Sequence, residues 1–174
     1  MHKLLGLFLL FLSFLSCEDE PKKKEIPFVS GEEYNQMMIL SHQEYLKKER
    51  YKINSFVDST QIDFQKTGTG LRYYIYQKSN GDSIKSKEIA FITYALTSLE
   101  GDSLYSSPKG KLQEFMVDYD NVESGLHEGI KKMKVGEKAL FILPAHLAHG
   151  VSGDNAAIPS QSTLLYNVHL VGKQ

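Results

Sequence analysis

Residues 125–150 read GLHEGIKKMKVGEKALFILPAHLAHG, and residues 158–170 read IPSQSTLLYNVHL. In both stretches glycine and proline separate short apolar runs, which is typical of strands and brief helices joined by tight turns. The pattern predicts a short helix over Gly125–Lys132 and strands over Lys138–Leu143 and Ser162–Val171. The chain contains no Gly-x-Ser-x-Gly, His-Glu-x-x-His or paired-cysteine motif, which disfavours hydrolase and zinc-enzyme mechanisms.

Strand-like patterns continue upstream of this region. Leu71–Tyr76 and Glu88–Thr97 read as further strands, and Asn80-Gly81-Asp82 and Glu100-Gly101-Asp102 read as turns. We interpret Gly68-Thr69-Gly70 as a turn, because no third glycine or Gly-Lys-Ser/Thr follows to form a phosphate-binding loop. Several strands around one short helix predict an α+β domain with an antiparallel sheet.

A longer helix is predicted ahead of these strands, over Glu32–Val57. Its apolar residues recur at helical spacing, at Ile39, Leu46, Ile53 and Phe56. Ser30 is placed to cap this helix, and Glu33 completes a capping-box pattern. Such a helix could lie on the domain, pair with a second copy of the chain or bridge to a partner. A homodimer through this helix is therefore one prediction.

The first residues have the composition of a signal peptide. A basic residue, Lys3, precedes an apolar run over Leu4–Leu15 that is too short to span a bilayer. Phe14-Leu15-Ser16-Cys17 resembles the lipobox of bacterial lipoproteins, and Cys17 is the only cysteine, so a disulfide within the chain is impossible. We expect lipidation at Cys17 and a membrane-anchored protein of the cell envelope. A stray or buried cysteine beside an ordinary signal-peptidase site is the alternative.

Composition and net charge limit the number of domains and the kinds of partner to be expected. With 174 residues and 41% hydrophobic content, the chain has room for one globular domain and an appendage. The formal net charge of −1 and the mixed signs predict no nucleic-acid partner. We therefore expect a signal peptide over residues 1–16, a lipidated tether over 17–31, a helical segment over 32–66 and the globular domain over 67–174.

Metal binding is not predicted. His146 and His149 are three residues apart, but no cysteine or third histidine is near them in the sequence. Asp118, Asp120 and Glu123 lack the spacing of a calcium-binding loop, so a solvated loop is the preferred interpretation.

The order and spacing of several motifs resemble the FKBP-type peptidyl-prolyl cis-trans isomerases. From Gly101 onward the family pattern fits this sequence without insertion or deletion. The motifs that carry the resemblance are Gly125-Leu126-His127-Glu128-Gly129-Ile130, Met133–Ala139, Leu147–Gly150, Ile158-Pro159 and Thr163–Val168. The resemblance implies an FKBP-like antiparallel β-sheet wrapped around one short α-helix in residues 67–174, with an N-terminal helical extension.

The same resemblance implies an apolar site that needs no cofactor. Its catalytic positions fall on Tyr94, Phe115, Ile158 and Tyr166. Its other substrate-binding positions fall on Leu104, Tyr105, Val122, Glu123, Leu126 and His149. Glu123 stands where the family binds a substrate carbonyl through a backbone N–H, so its side chain is expected to matter little.

Four of these positions depart from the family pattern. Leu104 replaces an aromatic residue, Leu126 replaces a tryptophan at the floor, and His149 replaces a tyrosine. Tyr105 replaces an aspartate, which removes a hydrogen-bond acceptor beside the bound proline. We therefore expect a weakened isomerase in which Tyr105→Asp raises activity, unless the tyrosine ring fills space left by its neighbours.

The function implied by the resemblance is acceleration of X-Pro bond rotation in exported proteins. The acidic run Glu18-Asp19-Glu20 after the lipid site and the entry Thr67–Tyr73 resemble those of gliding-motility-associated isomerase lipoproteins, so motility machinery is the expected client. Two alternatives stay open. One is a non-catalytic FKBP-fold chaperone or binding module, and the other is a structural subunit of an envelope complex.

Overall fold

The computed structural model of the chain describes residues 30–174. The predicted signal peptide, the lipidation site Cys17 and nearly all of the predicted tether lie outside these residues. The described residues divide between a first unit that ends at Met38 and a second, compact unit over Ile39–Gln174. Among the described residues, no helix combines the length and the apolar character that a membrane-spanning segment needs.

Each helix and strand predicted from the sequence is present. In chain order the elements are α1 (Gly31–Thr60), β1 (Gln65–Lys66), β2 (Arg72–Gln77), β3 (Ile89–Ser98), β4 (Ser103–Ser106), β5 (Gln113–Met116), α2 (Ser124–Ile130), β6 (Lys138–Leu143) and β7 (Leu164–Lys173). The short strands β1, β4 and β5 and a 3₁₀ turn over Ala145–Leu147 were not predicted. At the start of α1 the Glu33 backbone N–H donates to Ser30 Oγ at 3.2 Å, which confirms Ser30 as the cap.

The strands form one antiparallel sheet, as the sequence predicted. Within residues 30–174 it has seven strands in the order β1-β2-β6-β7-β3-β4, and β5 also pairs with β3. The outer edge of β3 is shared: Ile89–Ile92 pair with β5 and Ala95–Thr97 pair with β4. The fold class is therefore α+β, with the long strands β3, β6 and β7 at the centre of the sheet.

Successive side chains of β6 point to opposite faces of the sheet, so this strand contributes to an apolar cluster on each face. Phe141 and Leu143 point to the face that α2 covers, where they join the larger apolar cluster. Leu140 and Ile142 point to the opposite face, where they join Ile53 of α1 and Phe64. The part of α1 that lies within the second unit therefore packs on the sheet, which is the first of the three placements left open by the sequence.

Two glycines allow α2 to approach the sheet closely. Gly125 and Gly129 are four residues apart and share one face of the helix. A Cβ atom on Gly125 would lie 2.5 Å from Leu143 Cγ, and one on Gly129 would lie 2.6 Å from Phe141 Cε2. Neither contact is sterically tolerable, so the distance between α2 and β6 depends on hydrogen at both positions.

We predict that Gly129→Ala destabilises the protein. The overpacking cost of ~1–3 kcal/mol exceeds the ~1 kcal/mol that alanine gains over glycine in a helix. Urea unfolding measures the difference. The matched control is Gly68→Ala, because a Cβ there meets nothing within 4 Å. Equal free energies of unfolding for the two variants would contradict the close approach.

Candidate active site

Seven of the ten sequence-predicted site residues belong to the larger apolar cluster or pack against it, and the other three, Tyr105, Glu123 and His149, are linked to it by hydrogen bonds, directly or through one intervening side chain. Four of the ten form a buried layer, each exposed by no more than 4%: Phe115, Leu126, Ile158 and Tyr166. The other six form an outer layer that is half-buried or exposed: Tyr94, Leu104, Tyr105, Val122, Glu123 and His149. A substrate would therefore meet the outer layer first.

Strand register positions the two tyrosines at the centre. β3 pairs with β7 so that Tyr94 lies opposite Val168 and Leu96 lies opposite Tyr166. Tyr94 and Tyr166 are thus diagonal neighbours on the face that α2 covers. Their ring centroids are 5.7 Å apart with an interplanar angle of 49°. This tilted contact joins the buried layer to the outer layer.

Glu123 connects three elements of the site. It immediately precedes α2, and its side chain is only 12% exposed. Tyr166 Oη donates to Glu123 Oε1 at 2.7 Å, and His149 Nε2 lies 3.0 Å from the same oxygen. The side chain was expected to matter little, but it ties α2 to β7 and to the segment that contains His149.

The backbone of Glu123 is also available. Among the described residues its N–H has no hydrogen-bond acceptor, while its carbonyl oxygen accepts from the N–H groups of Leu126 and His127. A free N–H at this position is what the family resemblance requires for binding a substrate carbonyl.

Burial and the Glu123 charge act together on the two tyrosines. Burial is the larger cause that raises the pKa of Tyr166, and the carboxylate of Glu123 raises it further. The same two causes, in the same order, raise the pKa of Tyr94. Both hydroxyls therefore stay protonated hydrogen-bond donors at neutral pH.

Tyr105 bridges β4 to the loop that carries Ile158. Its hydroxyl donates to Asp154 Oδ2 at 2.5 Å and accepts from the Ala157 N–H at 3.3 Å. Asp154 Oδ1 in turn accepts from the N–H groups of Ala156 and Ile158, both at 2.8 Å. The family pattern has an aspartate on β4 at position 105. Here the carboxyl group belongs to Asp154 on the loop, and Tyr105 on β4 supplies the hydrogen-bond donor. This role of Asp154 was not predicted.

A second residue that the sequence left without a role is His127. The Asp118 N–H donates to His127 Nδ1 at 2.9 Å, so the ring hydrogen lies on Nε2, which is 3.0 Å from the Asp120 carbonyl oxygen. The ring also meets Phe115 edge to face, with centroids 5.4 Å apart. His127 therefore holds the segment before α2 against β5.

The histidines weighed as metal ligands have separate partners. His146 Nε2 lies 2.9 Å from the Thr69 carbonyl oxygen, whereas His149 faces Glu123. Asp118 is paired with Lys131 at 2.7 Å. Within residues 30–174, no group of three or more histidine, cysteine, aspartate or glutamate side chains is arranged to hold a metal ion.

Comparison with known families agrees with this geometry. The family model described as FKBP-type peptidyl-prolyl cis-trans isomerase matches residues 81–171, which is more than half of the chain. The chain belongs to this family. The matched residues include all ten site residues, which lie between Tyr94 and Tyr166.

Named relatives share about a third of their aligned residues with this FKBP-type chain. A probable FKBP-type peptidyl-prolyl cis-trans isomerase of Haemophilus influenzae is 34% identical over 110 residues, which are 63% of this chain and 45% of that protein. FK506-binding protein 1A of Neurospora crassa is 30% identical over 116 residues, which are 67% of this chain and 89% of that protein. The chain thus spans less than half of the bacterial relative and most of the fungal one.

Solved structures show the same fold. FkpA from Escherichia coli superimposes with a TM-score of 0.66 at 23% identity, covering 84% of this chain and 74% of FkpA. An isomerase from Pseudomonas syringae gives a TM-score of 0.66 at 19% identity, covering 76% of this chain and 95% of that structure. The FKBP-like architecture expected from the sequence is confirmed.

We predict that Tyr105→Phe raises the pKa of Asp154 in this FKBP-type domain. The hydrogen bond from Tyr105 is the main cause that lowers the Asp154 pKa to about 2, and phenylalanine removes that hydroxyl while it keeps the ring. Carboxyl-carbon NMR measures the titration, and Tyr51→Phe, at a ring that is 73% exposed, is the control. An unchanged Asp154 pKa would contradict the bridge.

The sign of the pH dependence follows from the same shift. Because the folded-state pKa of Asp154 is depressed, its contribution to stability is complete above its ordinary value near 3.8 and is lost as the pH falls toward about 2. In Tyr105→Phe this acid-dependent loss should be smaller.

Proposed function

We propose that this chain is a peptidyl-prolyl cis-trans isomerase. The observation that carries the proposal is the meeting of Tyr94, Phe115, Ile158 and Tyr166 in one cluster beside the free backbone N–H of Glu123. These groups are an apolar surface for a proline ring and a donor for a carbonyl oxygen. The relatives' printed names support the same activity.

The chemistry needs no reactive side chain. Rotation about an X-Pro bond is slow because the planar amide is resonance-stabilised by ~18–20 kcal/mol against twisting. The twisted amide has less charge separation, so apolar surroundings that exclude water favour it over the planar form. A ~10⁴-fold acceleration corresponds to about 5.5 kcal/mol. Apolar contacts and one or two hydrogen bonds that strengthen on twisting are of this order.

The Tyr105 bridge changes the activity expected of one variant. From the sequence, Tyr105→Asp was expected to restore a lost acceptor and raise activity. In the structure this change would break the link to Asp154 and place a second carboxyl group near it. We now expect Tyr105→Asp to lower activity, because the loop that carries Ile158 loses its tie to β4.

A non-catalytic FKBP-fold chaperone or binding module is the second candidate function. It is favoured by the depth of the central side chains: Phe115 and Ile158 are each 3% exposed, and Tyr166 is 4% exposed. A surface formed mainly by the outer layer would hold a proline-containing segment without enclosing it. Turnover on a peptide separates this function from the first.

We predict that the protein accelerates cis-to-trans isomerisation of a short Xaa-Pro peptide in a protease-coupled assay. Tyr166→Ala should lower kcat/KM at least about tenfold, which is ~1.4 kcal/mol of transition-state stabilisation. Truncating a buried aromatic residue also costs ~3–5 kcal/mol of stability, so the melting temperature must be measured alongside. Tyr51→Ala, at an exposed tyrosine, is the control. Wild-type protein without turnover that still binds the peptide would favour the second function.

We also propose that the protein acts in the cell envelope as a lipid-anchored lipoprotein. The support is the sequence before and around Cys17, together with the acidic run that follows it. Its clients are then proline-containing exported proteins, and the resemblance favours gliding-motility machinery among them. Pairing of two copies through α1 stays a prediction.

Replacing Cys17 tests the anchor. We expect Cys17→Ser to abolish acyl labelling and to move the protein out of the detergent phase, because the apolar run before Cys17 is too short to span a bilayer. Membrane fractions washed with carbonate measure the residual attachment. A Cys17→Ser protein that still sediments with membranes would argue against lipidation.

A further inference from the structure

One acidic side chain of α1 is buried against the domain. Glu49 is 7% exposed, and the other buried residue of this helix is Ile53, which lies one turn further along. Ile53 packs in the apolar cluster on the outer face of the sheet. A carboxyl group in such a place is costly unless its oxygen atoms find hydrogen-bond donors.

Glu49 Oε1 has three donors, and two of them are remote in the sequence. The Ala145 N–H donates to it at 2.7 Å and the Thr163 hydroxyl at 2.9 Å. The third donor is the Tyr45 hydroxyl, also at 2.9 Å, one helical turn before Glu49. A single oxygen atom thus joins α1 to the 3₁₀ turn after β6 and to the segment that leads into β7.

These partners stand at the two ends of the loop formed by residues 150–161, here called the active-site loop. The Ala145 carbonyl oxygen accepts from the Gly150 N–H at 2.8 Å, at the start of the loop. At its end, the Gln161 N–H donates to the Gly150 carbonyl oxygen at 2.9 Å, and Thr163 follows two residues later. The base of the loop is therefore closed on itself and fastened to Glu49.

Tyr45 adds a contact to the same base. Its hydroxyl lies 3.1 Å from the Gln161 carbonyl oxygen as well as beside Glu49. Burial raises the pKa of Tyr45, and the hydrogen bond to Glu49 raises it further, so the phenol remains a donor at neutral pH. The hydroxyl hydrogen of Tyr45 thus has two acceptors, Glu49 Oε1 and the Gln161 carbonyl oxygen, and both lie at the base of the active-site loop.

The active-site loop carries residues of the candidate site. Ile158 belongs to the buried layer, and Asp154 accepts the hydrogen bond from Tyr105. His149, which faces Glu123, immediately precedes the loop. The orientation of these three side chains depends on the base of the loop. Glu49 holds that base from the face of the sheet opposite to α2.

We propose that Glu49 is a positioning residue that orders the active-site loop from outside the site. Its effect on catalysis rests on the proposed isomerase function, whereas its effect on the order of the loop does not. Without the Glu49 acceptor, the N–H of Ala145 loses its partner and the loop populates open arrangements. Only molecules whose loop is ordered for substrate binding, here called competent, then bind the peptide. KM equals its original value divided by the competent fraction, while kcat changes little.

Hydrogen exchange on the full chain tests the ordering directly. In Glu49→Leu the Gly150 and Gln161 amides should lose most of their protection, because exchange follows the open fraction of the loop, which rises to about nine tenths when the competent fraction falls to about a tenth. The Leu170 amide, which donates to the Glu137 carbonyl oxygen within the sheet region, is the internal reference. Equal acceleration at all three amides would overturn the proposal, since it would show only global destabilisation.

Three further variants sharpen the comparison. Glu49→Gln keeps an oxygen acceptor and should restore most of the protection at Gly150 and Gln161. Glu44→Leu removes an exposed glutamate of the same helix, which pairs with Lys48 at 3.5 Å, and should leave both amides unchanged. Thr163→Val removes one donor only, so it keeps the proposal testable if Glu49→Leu does not fold.

Kinetics on a short Xaa-Pro peptide forms the second arm. We expect Glu49→Leu to raise KM about tenfold with kcat within about twofold of wild type, as the population argument requires. A fall in kcat at unchanged KM, or no rescue by Glu49→Gln, would overturn the positioning role. If the wild-type protein shows no turnover, the proposed function fails, and the exchange comparison still decides whether Glu49 orders the loop.

Discussion

The contact between α2 and β6 is the constraint on which the candidate site depends. Hydrogen atoms at Gly125 and Gly129 let the helix lie directly on Leu143 and Phe141. That short distance brings Leu126, on the same helix, into the buried layer. It also places Glu123, one residue before the helix, within reach of Tyr166. A larger side chain at either glycine would lift the helix and separate the groups that meet there.

The long elements of the fold could be read from the sequence, because their side chains repeat with the period of the structure they form. β6 was predicted with its observed bounds, since five of its six residues are apolar and a glycine turn precedes it. β4 and β5 were missed because each has only four residues, and at least half of them are exposed. Strands of that length form only because they pair with β3, and the local sequence pattern carries little information about that pairing.

The polar contacts of the site were the least predictable part. Family resemblance located Tyr105 and Glu123 but indicated neither the hydrogen bond from Tyr105 to Asp154 nor the one from Tyr166 to Glu123. Tyr105 pairs with a residue 49 positions away and Glu49 with one 96 positions away. Position 49 lies on the same stripe as Leu46 and Ile53, three residues after the first and four before the second, but the charge of a glutamate gave no indication that it would be buried. Its burial follows from donors that only the folded chain brings together.

Two pairs of a tyrosine and a carboxyl group surround the apolar cluster. Neither carboxyl group stands on β4, where the family pattern has its aspartate. Asp154 receives the hydroxyl of Tyr105, and Glu123 receives that of Tyr166. The polar framework around the apolar cluster thus joins β4 to the loop that carries Asp154 and joins β7 to the start of α2.

The short strands at the sheet's edges also limit how a client chain can be held. Within residues 30–174, one edge ends in β1, which has two residues, and the other is divided between β4 and β5. An extended polypeptide adds to a sheet by forming a ladder of main-chain hydrogen bonds along an exposed edge strand. Here such a ladder would end after a few bonds. An extended polypeptide beside this sheet would therefore find little backbone to pair with.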